Sequence, residues 1–531
     1  MFRRAWKPIL GTAILVGAPS YLYYKYSKST VQTFELPVKT VGPDGKRTMA
    51  TRAFPLLSKD DVEARLREHA SFQSTTRHGG VVWKQATAHL AANDPIEDAN
   101  ASVIIERDTS DSTGPGDFLF FAVMDGHAGP YTSRVLAEVL IPTVAMELSA
   151  MINDPNSSVI DPSVTQKIKS LLWSSSGSST PFDADPANVM RTIETAFTKL
   201  DAKIINAPLD ILANAMDKES LQKKLIPDLS EHPMALMSMQ TAMSGSCALL
   251  ALLDTANRNL YVACTGDSRA VAGVYEDTED GQGSWRVEVL TEDQTGRNPN
   301  ELKRIQSEHP PDEAASVVSK GRILGGLEPS RAFGDARYKW PREVQEVQRS
   351  LDAFYSSEAQ DSPYVTARPV VVHRDLSFLP LHDPSAPKPK STLRFLVLAT
   401  DGLWDELSSE EVVALVGGYF SGLKGTIPKD TLPNLVRTSS GAPTVEGKDK
   451  RRKQQRGAWA FVDDNVSTHL IRNAFGGADM DHMRKLLSIP APVARSFRDD
   501  VTVTVVWWED GREGKVKMTT VTPDENVKAK L

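Results

Sequence analysis

Acidic residues in this chain border apolar runs repeatedly, a pattern with chemical use. The run Phe118–Met124 stops at Asp125-Gly126-His127-Ala128-Gly129. Seven apolar residues in succession, rich in β-formers, predict a strand buried on both faces. At its mouth, Asp125 offers carboxylate oxygens from a rigid position. Gly126 lets the backbone carbonyl approach whatever they hold, and His127 titrates near neutral pH. By itself Asp-Gly-His is a polar turn after a strand, but the pattern recurs. Leu260–Cys264 leads to Asp267, Phe395–Ala399 leads to Asp401 and Asp405, and Asp499 and Asp500 precede Val501–Val506. Glu97 and Asp98 precede Val103–Ile105. A single aspartate beside a strand is ordinarily a turn residue. Five acidic sites suggest a carboxylate cluster, which mutual repulsion forbids unless cations neutralise it. Hard oxygen ligands without a Cys or His set point to Mg²⁺ or Mn²⁺ rather than zinc.

Spacing predicts the elements that carry these residues. Helical periodicity runs from Tyr131 to Ile152, with Pro142 expected to kink or divide it. A second amphipathic helix holds Val189, Ile193, Phe197, Leu200 and Ile204, and the two are expected to pack together on a sheet. The segment 246–272 predicts a hairpin turning at 254–257, and Leu302 and Ile305 belong to a further helix. Gly321–Gly326 predicts a surface flap, since no strand–helix unit frames a nucleotide cradle. The methionines of 234–243 are expected in the core. Strands and helices in irregular succession, with hairpins and few βαβ units, favour an α+β architecture.

The chain has 531 residues, 40% of them hydrophobic and 24% charged, the composition of a soluble globular protein. Its net charge of -7 argues against general nucleic-acid binding. Two cysteines, Cys247 and Cys264, imply no disulfide framework. The acids span positions 97 to 499, so one large domain with insertions is expected, over 61–510. Insertions are expected at 153–187, rich in Ser, Asp and Pro, and at 421–460. The latter carries a basic run at 448–456, a solvated loop or a docking patch for an acidic partner. Residues 31–60 have linker character and 511–531 form a charged tail. Residues 1–30 are basic and free of acids, with an apolar stretch at 8–24 flanked by tyrosines and lysines. A mitochondrial address retained as a membrane anchor is expected, with a secretory signal or a cleaved matrix peptide as alternatives.

Seven motifs stand in the order found in the metal-dependent serine/threonine protein phosphatases of type 2C, which the chain resembles over residues 80–508. They are Ile96-Glu97-Asp98, Asp125–Gly129, Ser244-Gly245-Ser246, Thr265–Arg269, Ser330–Asp335, Asp401–Asp405 and Arg498-Asp499-Asp500. Pro95–Asp98, the Ala of Asp-Gly-His-Ala-Gly, and Glu301-Leu302 to His309-Pro310 look most like the mitochondrial pyruvate dehydrogenase phosphatases.

The resemblance implies an antiparallel β-sandwich flanked by helices, with metals in a cleft at one end. It implies that Asp125 bridges two Mg²⁺ or Mn²⁺ ions and that the Gly126 carbonyl binds one. Asp401 and Asp499 complete one metal site, Glu97 and Asp98 help hold the other, and Asp267 and Asp405 belong to a weaker third. It makes His127 the general acid for the departing Ser or Thr oxygen, with a metal-activated hydroxide attacking phosphorus directly. The implied client is a phosphoprotein, the E1 α subunit of pyruvate dehydrogenase; residues 8–24 are expected to hold the chain at the mitochondrial inner membrane. The same chemistry on an intermembrane-space client is the alternative, and a scaffold without catalysis would require loss of the acids. One departure stands out. Most members carry an arginine four residues before the glutamate, to grip the phosphate; this chain has Asn93. Arg331 is the candidate substitute, with a structural role as its other reading.

Overall fold

The structure is a computed structural model that describes residues 32–41, 47–107, 116–153, 182–217, 227, 229, 231–278, 283–342, 344, 363–379, 381, 390–440 and 457–511. The expected targeting segment 1–30 with its anchor at 8–24, the basic run 448–456, and most of the 153–187 insertion and of the charged tail lie outside these residues.

Two sheets stack face to face. One runs in the order β17 (Thr438–Ser440), β10 (Ser284–Val289), β9 (Arg269–Glu276), β15 (Ser391–Ala399), β19 (Val501–Asp510), β4 (Val81–Leu90) and β3 (Ser71–Thr76). The short β17 joins β10 in parallel and the remaining pairs are antiparallel. The other sheet runs β14 (Val370–Asp375), β8 (Asn259–Thr265), β7 (Gly245–Asp254), β6 (Asp117–His127) and β5 (Ala99–Glu106), with β13 (Phe333–Gly334) paired to β7.

The apolar runs explain the layering. Along β6, Leu119, Phe121 and Val123 point into the space between the sheets, where they meet Leu396, Leu398, Val506 and Trp508 of the opposite sheet. Phe120, Ala122 and Met124 point the other way, onto helices α2 (Tyr131–Asn153) and α3 (Pro186–Ala215). A strand with both faces covered must be apolar throughout, hence the unbroken run. The seven-stranded sheet is covered likewise. Val397, Val503 and Val505 pack against α1 (Lys59–Arg67), α7 (Ser409–Phe420), α9 (Val466–Ala474) and α10 (Met480–Ser488). Each fully buried Leu or Phe in these layers contributes about 1.5–3 kcal/mol. The result is an α+β sandwich, helices outside and sheets inside. The hairpin at 254–257 forms as expected.

Smaller elements complete the chain. They are α4 (Ala235–Met243), α5 (Pro299–Glu308), the one-turn helices α6 (Asp401–Trp404) and α8 (Leu432–Leu435), and the strand pairs β11–β12 (Val318–Ser319, Arg322–Ile323) and β16–β18 (Gly425–Pro428, Ala458–Phe461).

Four expectations change. The linker 31–60 contains an antiparallel hairpin, β1 (Thr33–Val41) and β2 (Arg47–Pro55), whose Phe34 and Leu36 pack beside Ala92, Ile489 and Ala494. The Gly321–Gly326 stretch joins a small core of Ile305, Ile323, Tyr338 and Tyr364 next to α5. Met239 and Met243 pack on Ala242, Ala336 and Trp340, but Met234 and Met237 face solvent. Lastly, α2 continues through Pro142. Its buried face of Leu136, Leu140, Val144 and Leu148 holds the helix against the sheet, and the proline lies on the exposed side. Tertiary packing overrides the local preference there. Proline in a helix interior is about 3 kcal/mol less favourable than alanine, and this one buries nothing. Pro142→Ala is therefore expected to stabilise the protein by up to about that amount, read as a rise in the urea midpoint.

Candidate active site

All the acidic loops open at one end of the sandwich, because the ladders end there together. Ala99 pairs with Met124, His127 with Gly245, Val501 with Leu90, and Ala399 with both Val503 and Arg269. Beyond these pairs lie Glu97 and Asp98, Asp125, Asp499, Asp401 and Asp267. Carboxylate oxygens of Asp125, Asp267 and Asp401 approach within 4.8 Å of one another. Asp98 is buried beside them and accepts a hydrogen bond from the Thr400 hydroxyl at 2.8 Å. The Thr400 hydroxyl also accepts from the Thr502 amide at 2.9 Å, so one threonine ties β15, β19 and the Asp98 loop together.

Charges so close must perturb one another. Burial, then the charges of Asp401, Asp98 and Asp267, push the Asp125 carboxyl well above the usual carboxylate range. Burial and Asp500 do the same to Asp98. The donor set is the one expected for a hard divalent cation, which would reverse both shifts. Gly126 serves the same end: a Cβ there would lie 2.2 Å from the Glu97 carbonyl oxygen. Only glycine lets β6 and the Glu97 loop close to this distance.

Glu97 accepts from the Gly129 amide at 2.6 Å, which turns it toward the Asp125 loop. Asp405 is exposed one helical turn after Asp401, with its amide bonded to the Asp401 carbonyl. Asp499 accepts from the Asp500 amide at 2.7 Å and is paired with Arg495. The three-acid group therefore holds Asp125, Asp267 and Asp401, while Glu97, Asp98, Asp405 and Asp499 stand around it.

His127 bonds through Nε2 to Asp335 Oδ2 at 2.7 Å. Burial opposes charging this imidazole, but the Asp335 carboxylate outweighs it and raises the pKa. Gly245 makes room for the pair, since a Cβ there would fall 2.1 Å from Nε2. Asp335 stands at a left-handed φ of 49° after Gly334, whose amide donates to Asp201 at 2.9 Å. Lys339 donates to the same aspartate at 2.7 Å. Asp335 is a site residue that sequence reasoning did not single out, although it closes the Ser330–Asp335 motif.

A second such residue is Asp500. It accepts from the backbone amides of Asn93 and Glu97, at 2.9 and 2.8 Å, and from the Asn93 side chain at 3.0 Å. Its acidity beside Asp499 was the available signal. The Asn93 amide also donates to Glu97 Oε2 at 3.0 Å. Asn93 thus bridges two acids and positions the Glu97 loop, where an arginine was expected to meet phosphate. The guanidinium of Arg331 donates to Glu301 at 2.7 Å and to the Arg368 carbonyl at 2.8 Å. Burial works to raise the Glu301 carboxyl, yet hydrogen bonds from Arg331 and Arg304 hold it at about 2. Arg331 is a structural partner for a buried acid, and the Glu301–His309 segment is the helix α5 that presents this acid. Burial pushes the thiols of Cys247 and Cys264 upward, away from nucleophilic use.

Residues 172–421 match the family model for protein phosphatase 2C. A protein phosphatase 2C homologue of Schizosaccharomyces pombe is 34% identical over 457 residues, 86% of each chain. The chain belongs to the type 2C protein phosphatases. It is a protein-serine/threonine phosphatase, and the family is metal-dependent. Mitochondrial pyruvate dehydrogenase phosphatase 1 of Saccharomyces cerevisiae is 32% identical over 515 residues, covering 91% of this chain and 79% of that one. The human protein of the same name is 31% identical over 467 residues, covering 78% and 76%. Within the type 2C family the chain is therefore similar to the pyruvate dehydrogenase phosphatase subgroup.

Two outcomes follow from the geometry. Removing a residue that orients a metal ligand typically costs 10–100-fold in metal affinity. Asn93→Ala is expected to weaken Mn²⁺ binding by about that factor in titration calorimetry, with the fold intact by circular dichroism. The second concerns pH. The raised carboxyls of Asp98 and Asp125 favour folding while protonated, so their stabilisation is present in acid and is lost as pH rises through the raised values. In chelator, stability should accordingly fall as pH rises above the ordinary carboxylate range. Added Mg²⁺ or Mn²⁺ should abolish that fall, and parallel pH curves with and without metal would contradict it.

Proposed function

We propose that the chain hydrolyses phosphoserine or phosphothreonine on a mitochondrial protein, with the phosphorylated E1 α subunit of pyruvate dehydrogenase as its client. The convergence of Asp125, Asp267 and Asp401 carries the chemistry. The client and the compartment rest on the names borne by its relatives. Association with the inner membrane through residues 8–24 rests on sequence character alone.

In this reading Asp125, Asp267 and Asp401 hold Mg²⁺ or Mn²⁺, with Asp98, Glu97, the Gly126 carbonyl, Asp405 and Asp499 completing the coordination of two ions and a weaker third. When bound, the metals supply an activated water and a clamp on the phosphoryl oxygens. The protein's residues do the rest. Asp500 and Asn93 hold the Glu97 loop in place, and Thr400 fixes Asp98. His127, whose pKa the Asp335 carboxylate at Nε2 raises, would give a proton to the Ser or Thr oxygen as the P–O bond breaks. No covalent enzyme intermediate arises, and both buried cysteines stand aside. A scaffold without catalysis would lack the acids, and they are all present.

The test uses purified protein and phosphorylated E1. Turnover is expected with Mg²⁺ or Mn²⁺ and not with excess chelator. Metal contributions of several kcal/mol imply that Asp125→Asn or Asp401→Asn lowers kcat/KM by ~100-fold or more. Full activity in chelator would refute the mechanism. Activity on other phosphoproteins with none on E1 would refute the client alone.

A further inference from the structure

We propose that the outer face of α4, together with Tyr131, is the docking surface for apolar side chains of the protein substrate that flank its phosphorylated residue. This rests on the phosphatase reading and adds where the client is gripped.

The helix divides cleanly. Met239, Ala242 and Met243 face inward onto Ala336 and Trp340. On the other side Leu236 is 71% exposed and Met237 56%, with Met234 just before the helix at 48%. Large apolar side chains grouped on a surface mark contact sites, and methionine adapts to varied partners. From Met234 to Gly245 the chain carries no charged residue, so the face suits an uncharged, apolar partner.

Its position ties it to the catalytic cleft. Leu236 and Gln240 lie one above the other on the helix surface, and Gln240 donates to the Tyr131 hydroxyl at 2.9 Å. The Tyr131 ring packs against Gly129, whose amide holds Glu97. The C-terminal end of the helix runs through Ser244, which bonds Thr132, into Gly245 beside His127. Leu236 stands nine residues before Gly245. From Leu236 to the helix end at Met243 the chain rises about 11 Å at 1.5 Å per residue, the reach of roughly three extended substrate residues.

Charge at the cleft supports the same occupant. Arg331 is held by Glu301, Arg495 by Asp499, and Asn93 replaces a cationic clamp. A phosphoprotein therefore draws affinity from its own surface as well as its phosphate, and α4 is the apolar surface continuous with the site.

The test compares wild type with Leu236→Glu and Met237→Glu, singly and together, on phosphorylated E1, on phosphorylated casein and on p-nitrophenyl phosphate. Both side chains are exposed, and melting curves confirm an intact fold. The double variant is expected to raise KM on the protein substrate at least ~10-fold, with kcat and p-nitrophenyl phosphate turnover within about two-fold of wild type. The ratio is taken within each substrate, so it reports on the helix whichever phosphoprotein the wild type hydrolyses. Unchanged KM on the protein substrates, with ester turnover retained, overturns the docking surface and leaves the phosphatase reading intact. Equal loss on all substrates overturns it too. A dimer in light scattering that the substitutions dissolve, with KM unchanged, assigns the face to a second copy instead.

Discussion

Repulsion among carboxylates is the constraint around which this structure is arranged. Asp125, Asp267 and Asp401 meet within 4.8 Å, and Asp98 is buried next to them. Four negative charges so disposed cannot all remain ionised without compensation, as the raised carboxyls of Asp98 and Asp125 record. Flexible loops would relieve the repulsion by moving apart. The chain prevents this by placing Asp125 within the buried strand β6, Asp267 and Asp401 two residues beyond the buried ends of β8 and β15, and Asp98 just before β5. The hydrophobic energy of the two sheets thus opposes the electrostatic cost at their rim, and a divalent cation is the group that relieves what remains.

Around the cluster, neutral hydrogen bonds replace positive side chains as the means of positioning. Thr400 ties Asp98, Asn93 ties Glu97 to Asp500, and backbone amides of the 92–97 loop converge on Asp500. A lysine or arginine in these places would satisfy the acids permanently and compete with a metal. Amides and hydroxyls orient the oxygens while leaving their charge for the metal. Apart from Arg495, which pairs with Asp499, the cations are used farther out, where permanence helps. Arg331 clamps Glu301, and Arg472 clamps Asp463 and Glu63 between α9 and α1. Breaking such a buried pair costs about 3–5 kcal/mol, a scale suited to fold integrity rather than turnover.

Much of this was legible in the sequence for one physical reason: a strand covered on both faces leaves a continuous apolar run. Phe118–Met124 and Phe395–Ala399 announced the strands, and the acids after them announced the cluster. The α2 and α3 helices were legible from their 3.6-residue spacing. What stayed hidden depends on contacts between distant segments. Nothing local distinguishes Asp500 from Asp499, yet the fold turns one toward the amides of residues 92–97. Nothing near Asp335 reveals a histidine 208 residues away. The division of α2 that Pro142 allowed does not occur, because the local rule is real but smaller than the packing of the helix on its sheet. For Asn93 residue type suggested a phosphate contact, for Arg331 either that or a structural role, and only the geometry shows which acids they hold.

The same geometry separates the two parts of the reaction the chain must perform. In the proposed mechanism, activation of water and charge neutralisation belong to the rim, where the strand ends fix the acids. Proton delivery in that mechanism falls to His127, whose Nε2 is bonded to Asp335 at the β6–β7 edge. Gly245 keeps that edge open, since any side chain there would push the imidazole from its partner. The histidine is thereby anchored at the β6–β7 edge, while the acids come from both sheets: Asp125 on β6 and Asp267 after β8 in one, Asp401 after β15 and Asp499 before β19 in the other. Both sheets supply acids to the site. The catalytic arrangement exists only where the sandwich closes, which is why its residues are scattered along more than four hundred positions of the chain and meet at a single edge.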